Sequence, residues 1–180
     1  MRSVLRRSRI LVVLFGITLA ATVLVLLRAA EAATVRHVNR SDAGCGGQAP
    51  CYGSIQAAVN AAQAGDTVQI QAGTYVEQVS VTGKNATTWS EASRILIQAD
   101  PGAPVGSVVL YGAVVQCMQG HAIRIQQSRF VTIRGLTITG AGGAGIALLG
   151  GFNQNVSIRG GKKSSPCGWE RKSTTSCGRE

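Results

Sequence analysis

Acidic residues are few in this 180-residue chain, and they leave a long gap: of its 8 Asp and Glu, none lies between Pro101 and Trp169. Calcium takes about six to eight hard oxygen ligands, and glycoside hydrolysis needs a pair of carboxylates, so neither centre can be built inside that window. Aromatics make up only 4 %, which excludes a core of large rings and favours thin layers of small and β-branched aliphatics. Charged residues are 14 % against 45 % hydrophobic ones, the reverse of a disordered composition. No C-x-x-C occurs, and the two histidines, His37 and His121, stand at no ligand spacing from a cysteine pair, so no metal site is read. The length leaves no room for a second full domain.

Basic residues are plentiful, but most of the formal charge of +10 sits at the ends. Arg2, Arg6, Arg7, Arg9 and Arg28 precede residue 29, and Lys162, Lys163, Arg171, Lys172 and Arg179 fall in the last 20 positions. From Ala33 to Gly160 eight basic residues face five acidic ones, a surplus of three. A domain that wraps a polyanion by charge would carry more, with stacking aromatics between the charges, so no nucleic-acid partner is expected.

The first four arginines lead into an apolar run from Ile10 to Leu27, followed by Ala29, Ala30, Ala32 and Ala33. Basic, apolar, then small is the order of a secretory signal, and Ala30-Glu31-Ala32 predicts cleavage after Ala32. The run is also long enough to span a bilayer, so residues 10–27 as an uncleaved membrane anchor are the alternative. Either way the remainder is expected outside the cytoplasm: secreted, periplasmic or on the cell surface. Cys45 and Cys51 bracket a short loop and are expected to bridge in that oxidising setting, within a lead-in segment over 33–53. Cys117, Cys167 and Cys177 are left, an odd number.

Ser54, then Ile55, Ala58, Val59 and Ala62, with Gly65 behind, predicts one short amphipathic helix with its N-cap and its stop. After Asp66 the period changes to two: Val68 and Ile70, Val79 and Val81, Ile95 and Ile97, Val108 and Leu110. Glycine, proline and asparagine punctuate these runs, so short strands with short turns are expected. Phe130-Val131-Thr132-Ile133-Arg134-Gly135 then recurs as Asn155-Val156-Ser157-Ile158-Arg159-Gly160, 25 residues on, and Ile123-Arg124-Ile125 is echoed by Ile146-Ala147-Leu148, 23 on. Units this short cannot bury a face alone; they become stable when they stack in parallel around one core. The expected inward set is Ile123, Ile125, Val131, Ile133, Leu136, Ile138, Ile146, Leu148, Val156 and Ile158. The fold class is therefore all-β, over 54–160.

The segments Ser54-Ile55-Gln56-Ala57-Ala58-Val59, Ala64-Gly65-Asp66-Thr67-Val68, Ala72-Gly73-Thr74-Tyr75-Val76-Glu77 and Phe130 to Ile138 together resemble the right-handed parallel β-helix proteins of the pectate lyase-like superfamily. The resemblance covers about Thr34 to Gly160. It implies a solenoid whose first end is capped by the helix, and an activity on acidic polysaccharide by calcium-assisted β-elimination; calcium enters by this resemblance alone, as no ligand set is present for it. Residues 161–180 show no strand period, so the chain is read either as a truncated or frame-shifted β-helix or as one ending in a disordered basic tail.

No catalytic residue is assigned. Arg134 and Arg159 occupy equivalent repeat positions, so parallel stacking predicts them about 4.8 Å apart at the backbone on the outer face, with Arg124 and Arg129 near in sequence. Like charges side by side are unfavourable unless something anionic lies across them, and guanidinium forks match carboxylates. Arg124, Arg134 and Arg159 are thus the candidate substrate-binding residues and an acidic polysaccharide the expected partner, against two arginines splayed in water. Two other classes stay open: a structural or adhesin-type solenoid, and a lyase or epimerase whose active site lies in further coils. Trp89 and Tyr75 are read as sugar-stacking rings or local packing, and the histidines as surface or turn residues.

Overall fold

The computed structural model describes residues 32–112, 120–150 and 152–160. The expected signal or anchor over 1–32 (but for Ala32), Cys117, Cys167, Cys177 and residues 161–180 lie outside the described residues. Among the described residues there are twelve strands and one α-helix: β1 (Val35–Val38), β2 (Cys51–Tyr52), α1 (Ile55–Ala61), β3 (Thr67–Ile70), β4 (Gly73–Val76), β5 (Val79–Thr82), β6 (Ile95–Ala99), β7 (Val108–Tyr111), β8 (Ile123–Gln126), β9 (Arg129–Arg134), β10 (Thr137–Thr139), β11 (Ile146–Leu149) and β12 (Gln154–Arg159). All pairing is parallel, in three sheets: β12-β9-β6-β3-β1-β2, β10-β7-β4 and β11-β8-β5. From β3 onward the chain visits the three sheets in rotation, an order compatible with a β-helix-like solenoid.

The alternation read from the sequence sets the inside of each sheet. Val68, Ile97, Ile133 and Ile158 are register partners on β3, β6, β9 and β12. Tyr75, Leu110 and Ile138 form the equivalent row in the second sheet, and Val81, Ile125 and Leu148 in the third. The 25- and 23-residue repeats are therefore real strand registers. Two members of the expected inward set are corrected: Leu148 is 49 % and Ile158 50 % exposed, while Ile146 and Val156 are half-buried. They lie on the last described strand of their sheets, and burial in a stack comes from the neighbour on each side. Tyr75, at 1 % exposure, is a core residue whose hydroxyl lies within hydrogen-bond reach of the Val38 and Gln71 carbonyls, not a surface ring for a sugar.

Helix α1 closes the first end of this core with Ile55, Ala58 and Val59. Ser54 caps it, its Oγ accepting the Ala57 amide at 3.2 Å. The helix ends with Ala62 as its C-cap, ahead of Gly65 as expected, and Asp66 Oδ2 takes the Gln63 amide (2.8 Å), offering it a partner other than a helical carbonyl. Gly65, at φ +87°, then turns the chain into β3.

Charge holds the cap at both poles. The Glu77 carboxylate accepts the Ile55 and Gln56 amides (2.8 and 2.9 Å) at the helix N-terminus, and Lys84 Nζ donates to the Asn60 and Ala62 carbonyls (3.0 and 2.7 Å) at its C-terminus. Both signs complement the helix dipole. Burial and the nearby Arg36 charge lower the Lys84 pKa. Behind the helix, Arg36 Nε meets Asp66 Oδ2 at 2.7 Å and Arg36 Nη1 meets the Tyr52 hydroxyl at 2.9 Å. Burial alone would raise the Asp66 pKa, but the Gln63 and Thr34 amides and the Arg36 guanidinium outweigh it and hold the carboxyl below its ordinary value. Cys45 and Cys51 are bonded to each other, and β2 pairs beside β1 there.

Candidate functional site

The outer face of the six-stranded sheet is built by the same alternation that fills the core. Arg134 follows Ile133 as the last residue of β9, and Arg159 follows Ile158 as the last of β12; the two arginines are direct register partners. Gly135 (φ +73°) turns the chain out of β9 in a conformation that side chains disfavour, and its amide donates to the Arg159 carbonyl at 3.1 Å. Gly160 repeats this at φ +59°. The row continues through Gln98, Gln69 and His37 on β6, β3 and β1. Polar side chains thus form a stripe with one member per strand, about 4.8 Å apart.

The surplus of positive charge is concentrated on the arginines of this stripe and on Arg124. Of the eight basic residues between Ala33 and Gly160, five are held by a carboxylate, a backbone carbonyl or an aromatic ring. Arg36 binds Asp66, Lys84 holds the helix carbonyls, Arg40 donates to the Thr74 carbonyl, Arg94 grips Glu91 and reaches Thr132 and the Asn155 carbonyl, and Arg129 lies over Trp89. Among the described residues, Arg124, Arg134 and Arg159 enter no ion pair and are exposed; Arg159 Nε donates to Ser157 Oγ at 3.1 Å. Asp100, the acid nearest to this stripe in sequence, is occupied by the Gln69 side-chain amide (3.1 Å) and the Gly102 amide (3.0 Å).

Arg124 does not join the other two. It lies on β8, between Ser80 and Ala147 of its register neighbours, in the third sheet. The sequence placed it near Arg134 by separation along the chain, but a corner and a change of sheet intervene.

Two unit charges about 4 Å apart in water repel by roughly 1 kcal/mol, and exposed side chains relieve most of that by spreading. The arginine step is therefore stable without a ligand. It also places two guanidinium groups at adjacent register positions, and an anion with two oxygens, or a polymer with carboxylates on successive residues, can engage both at once.

The histidines do different things. His37 heads the stripe, but its Nδ1 is buried without a hydrogen-bond partner; His121 Nδ1 accepts the Ala144 amide at 3.1 Å and ties a turn. Among the described residues no group of three His, Cys, Asp or Glu comes together to hold a metal ion, and no helix is long and apolar enough to cross a membrane. Sequence reading missed Gln69 and Gln98 as members of the stripe, and the pairing of Trp89 with Arg129. No family model matches this chain, and neither the curated proteins nor the solved structures searched contain one similar to it.

Proposed function

We propose that this chain is an exported right-handed parallel β-helix that binds acidic polysaccharide along the outer face of its longest sheet, with the Arg134–Arg159 step as the carboxylate site. The observation that carries the proposal is the in-register arginine pair, exposed and without a carboxylate partner among the described residues, at the end of a row of glutamines. Glutamine side chains offer donors and acceptors to sugar hydroxyls, and the arginines offer charge. Binding is proposed rather than turnover, because no carboxylate lies between Pro101 and Trp169 to serve as acid, base or calcium ligand.

The test is retention of the purified chain on immobilised polygalacturonate or alginate, with elution by salt. The double substitution Arg134→Ser with Arg159→Ser is expected to weaken retention about a hundredfold, since two charge-assisted contacts of roughly 1.5 kcal/mol each are lost. Unchanged retention would reject the arginine step.

A second reading, a structural solenoid that associates end to end, is favoured by one observation. Leu148, Leu149, Phe152 and Ile158, on or beside the last described strands, are all exposed by at least a third. It would show as concentration-dependent growth in sedimentation together with no glycan retention.

A further inference from the structure

Trp89 lies in the connection between β5 and β6 and is 70 % exposed, yet its ring is not loose. The Arg129 guanidinium carbon sits 3.9 Å from the ring centroid, well inside cation–π range. Arg129 is itself fixed at the corner: its amide donates to the Lys84 carbonyl (2.9 Å), its carbonyl accepts from Asn85 Nδ2 (3.2 Å), and its Nη1 donates to the Ala86 carbonyl. Its Nε is buried with no hydrogen-bond acceptor, and the indole lies against the guanidinium. One face of Trp89 is therefore taken by a held cation, and the high exposure leaves the other face in water.

We propose that this free face of Trp89 is a stacking subsite for one pyranose ring of an acidic polysaccharide, separate from the arginine step. An immobilised indole loses little freedom when an apolar sugar face covers it, which is the condition under which such a ring adds affinity. The cation behind the ring sets the charge preference. A bare indole presents a negative face that repels a carboxylate; with the guanidinium stacked beneath, that face is offset and a uronate ring is favoured over a neutral one. The inference rests on the polysaccharide-binding reading for the class of ligand, but on different residues.

The experiment uses the full chain carrying Trp169→Phe, so that Trp89 alone reports by fluorescence, titrated with oligogalacturonate and with a neutral xylo-oligosaccharide. Oligogalacturonate is expected to shift the Trp89 emission. Trp89→Ala should weaken binding by calorimetry about five- to tenfold, and Trp89→Phe should retain most of it. A melting curve of Trp89→Ala guards against a folding defect. Binding unaffected by Trp89→Ala but lost with Arg134→Ser and Arg159→Ser would overturn the subsite and leave the arginine step standing. Binding lost with Trp89→Ala and kept without the two arginines would support the subsite and reject the step. Equal affinity for the neutral oligosaccharide would overturn the acidic preference, and no binding of either sugar to the parent chain would overturn both proposals.

Discussion

Alanine substitutions along one inward row test the stacking directly, because the same chemical change meets a different environment on each strand. Ile97 and Ile133 are 1 % and 2 % exposed and have register partners on both sides, whereas Ile158 is 50 % exposed and has Ile133 on one side. Isoleucine to alanine removes three carbons; at about 0.8 kcal/mol each the transfer loss is about 2.4 kcal/mol for a fully buried site. A cavity that the flanking strands cannot close adds to this, so Ile97→Ala and Ile133→Ala are each expected to cost about 3–4 kcal/mol. Ile158→Ala loses about half the transfer contribution and opens no enclosed cavity, for about 1 kcal/mol. Urea unfolding followed by circular dichroism, with the slope compared between variants, gives the three differences. A cost for Ile158→Ala equal to that for Ile97→Ala, or a cost below about 1 kcal/mol at Ile97, would refute the shared interior.

Three further outcomes concern the cap. The Asp66 carboxyl, held below its ordinary pKa of 3.8, contributes stability that is present above that value and lost as pH falls through the lower folded value; Asp66→Asn should flatten this acid limb in pH-dependent melts and cost about 2–4 kcal/mol at neutral pH by leaving Arg36 without its carboxylate. Glu77→Gln keeps one acceptor but loses the charge at the α1 N-terminus, and is expected to cost about 1 kcal/mol in the same urea assay. Replacing Cys45 and Cys51 by serine should cost about 2 kcal/mol, as a short closed loop predicts, and reducing agent should reproduce that loss in the parent chain.

Much of the fold was legible because the inward residues leave a period-two signature that no other structure explains well. Ile55, Ala58 and Val59 marked the helix, and the pairs from Val68 and Ile70 to Val108 and Leu110 marked strands that are all present. What the pattern could not give was the limit of burial. Leu148 and Ile158 carry the same alternation as Ile125 and Ile133, yet alternation specifies which face a residue joins and not whether a further strand lies across it. The helix ends where its apolar spacing does, with Ala62 as C-cap ahead of Gly65, and the Asp66 side chain folds back onto the Gln63 amide there.

The candidate site shows where periodicity runs out. Arg134 and Arg159 were placed together because 25 residues separate them and the connection between β9 and β12 carries the same complement of strands as the repeat. The rest of the stripe was invisible, since 36 residues separate Gln98 from its partner Arg134 and 29 separate Gln69 from Gln98. Connections of unequal length absorb the differences, as between β5 and β6 and between β6 and β7, and a fixed offset finds nothing there. Register in a parallel stack is set by the buried aliphatics, Val68 over Ile97 over Ile133, and the outward residues inherit whatever alignment the interior requires. A binding face on such a fold is thus specified indirectly. Its side chains are free to vary one by one while their spacing is fixed by the core beneath, so a change at Ile133 displaces Arg134 as surely as a change at Arg134 itself removes it.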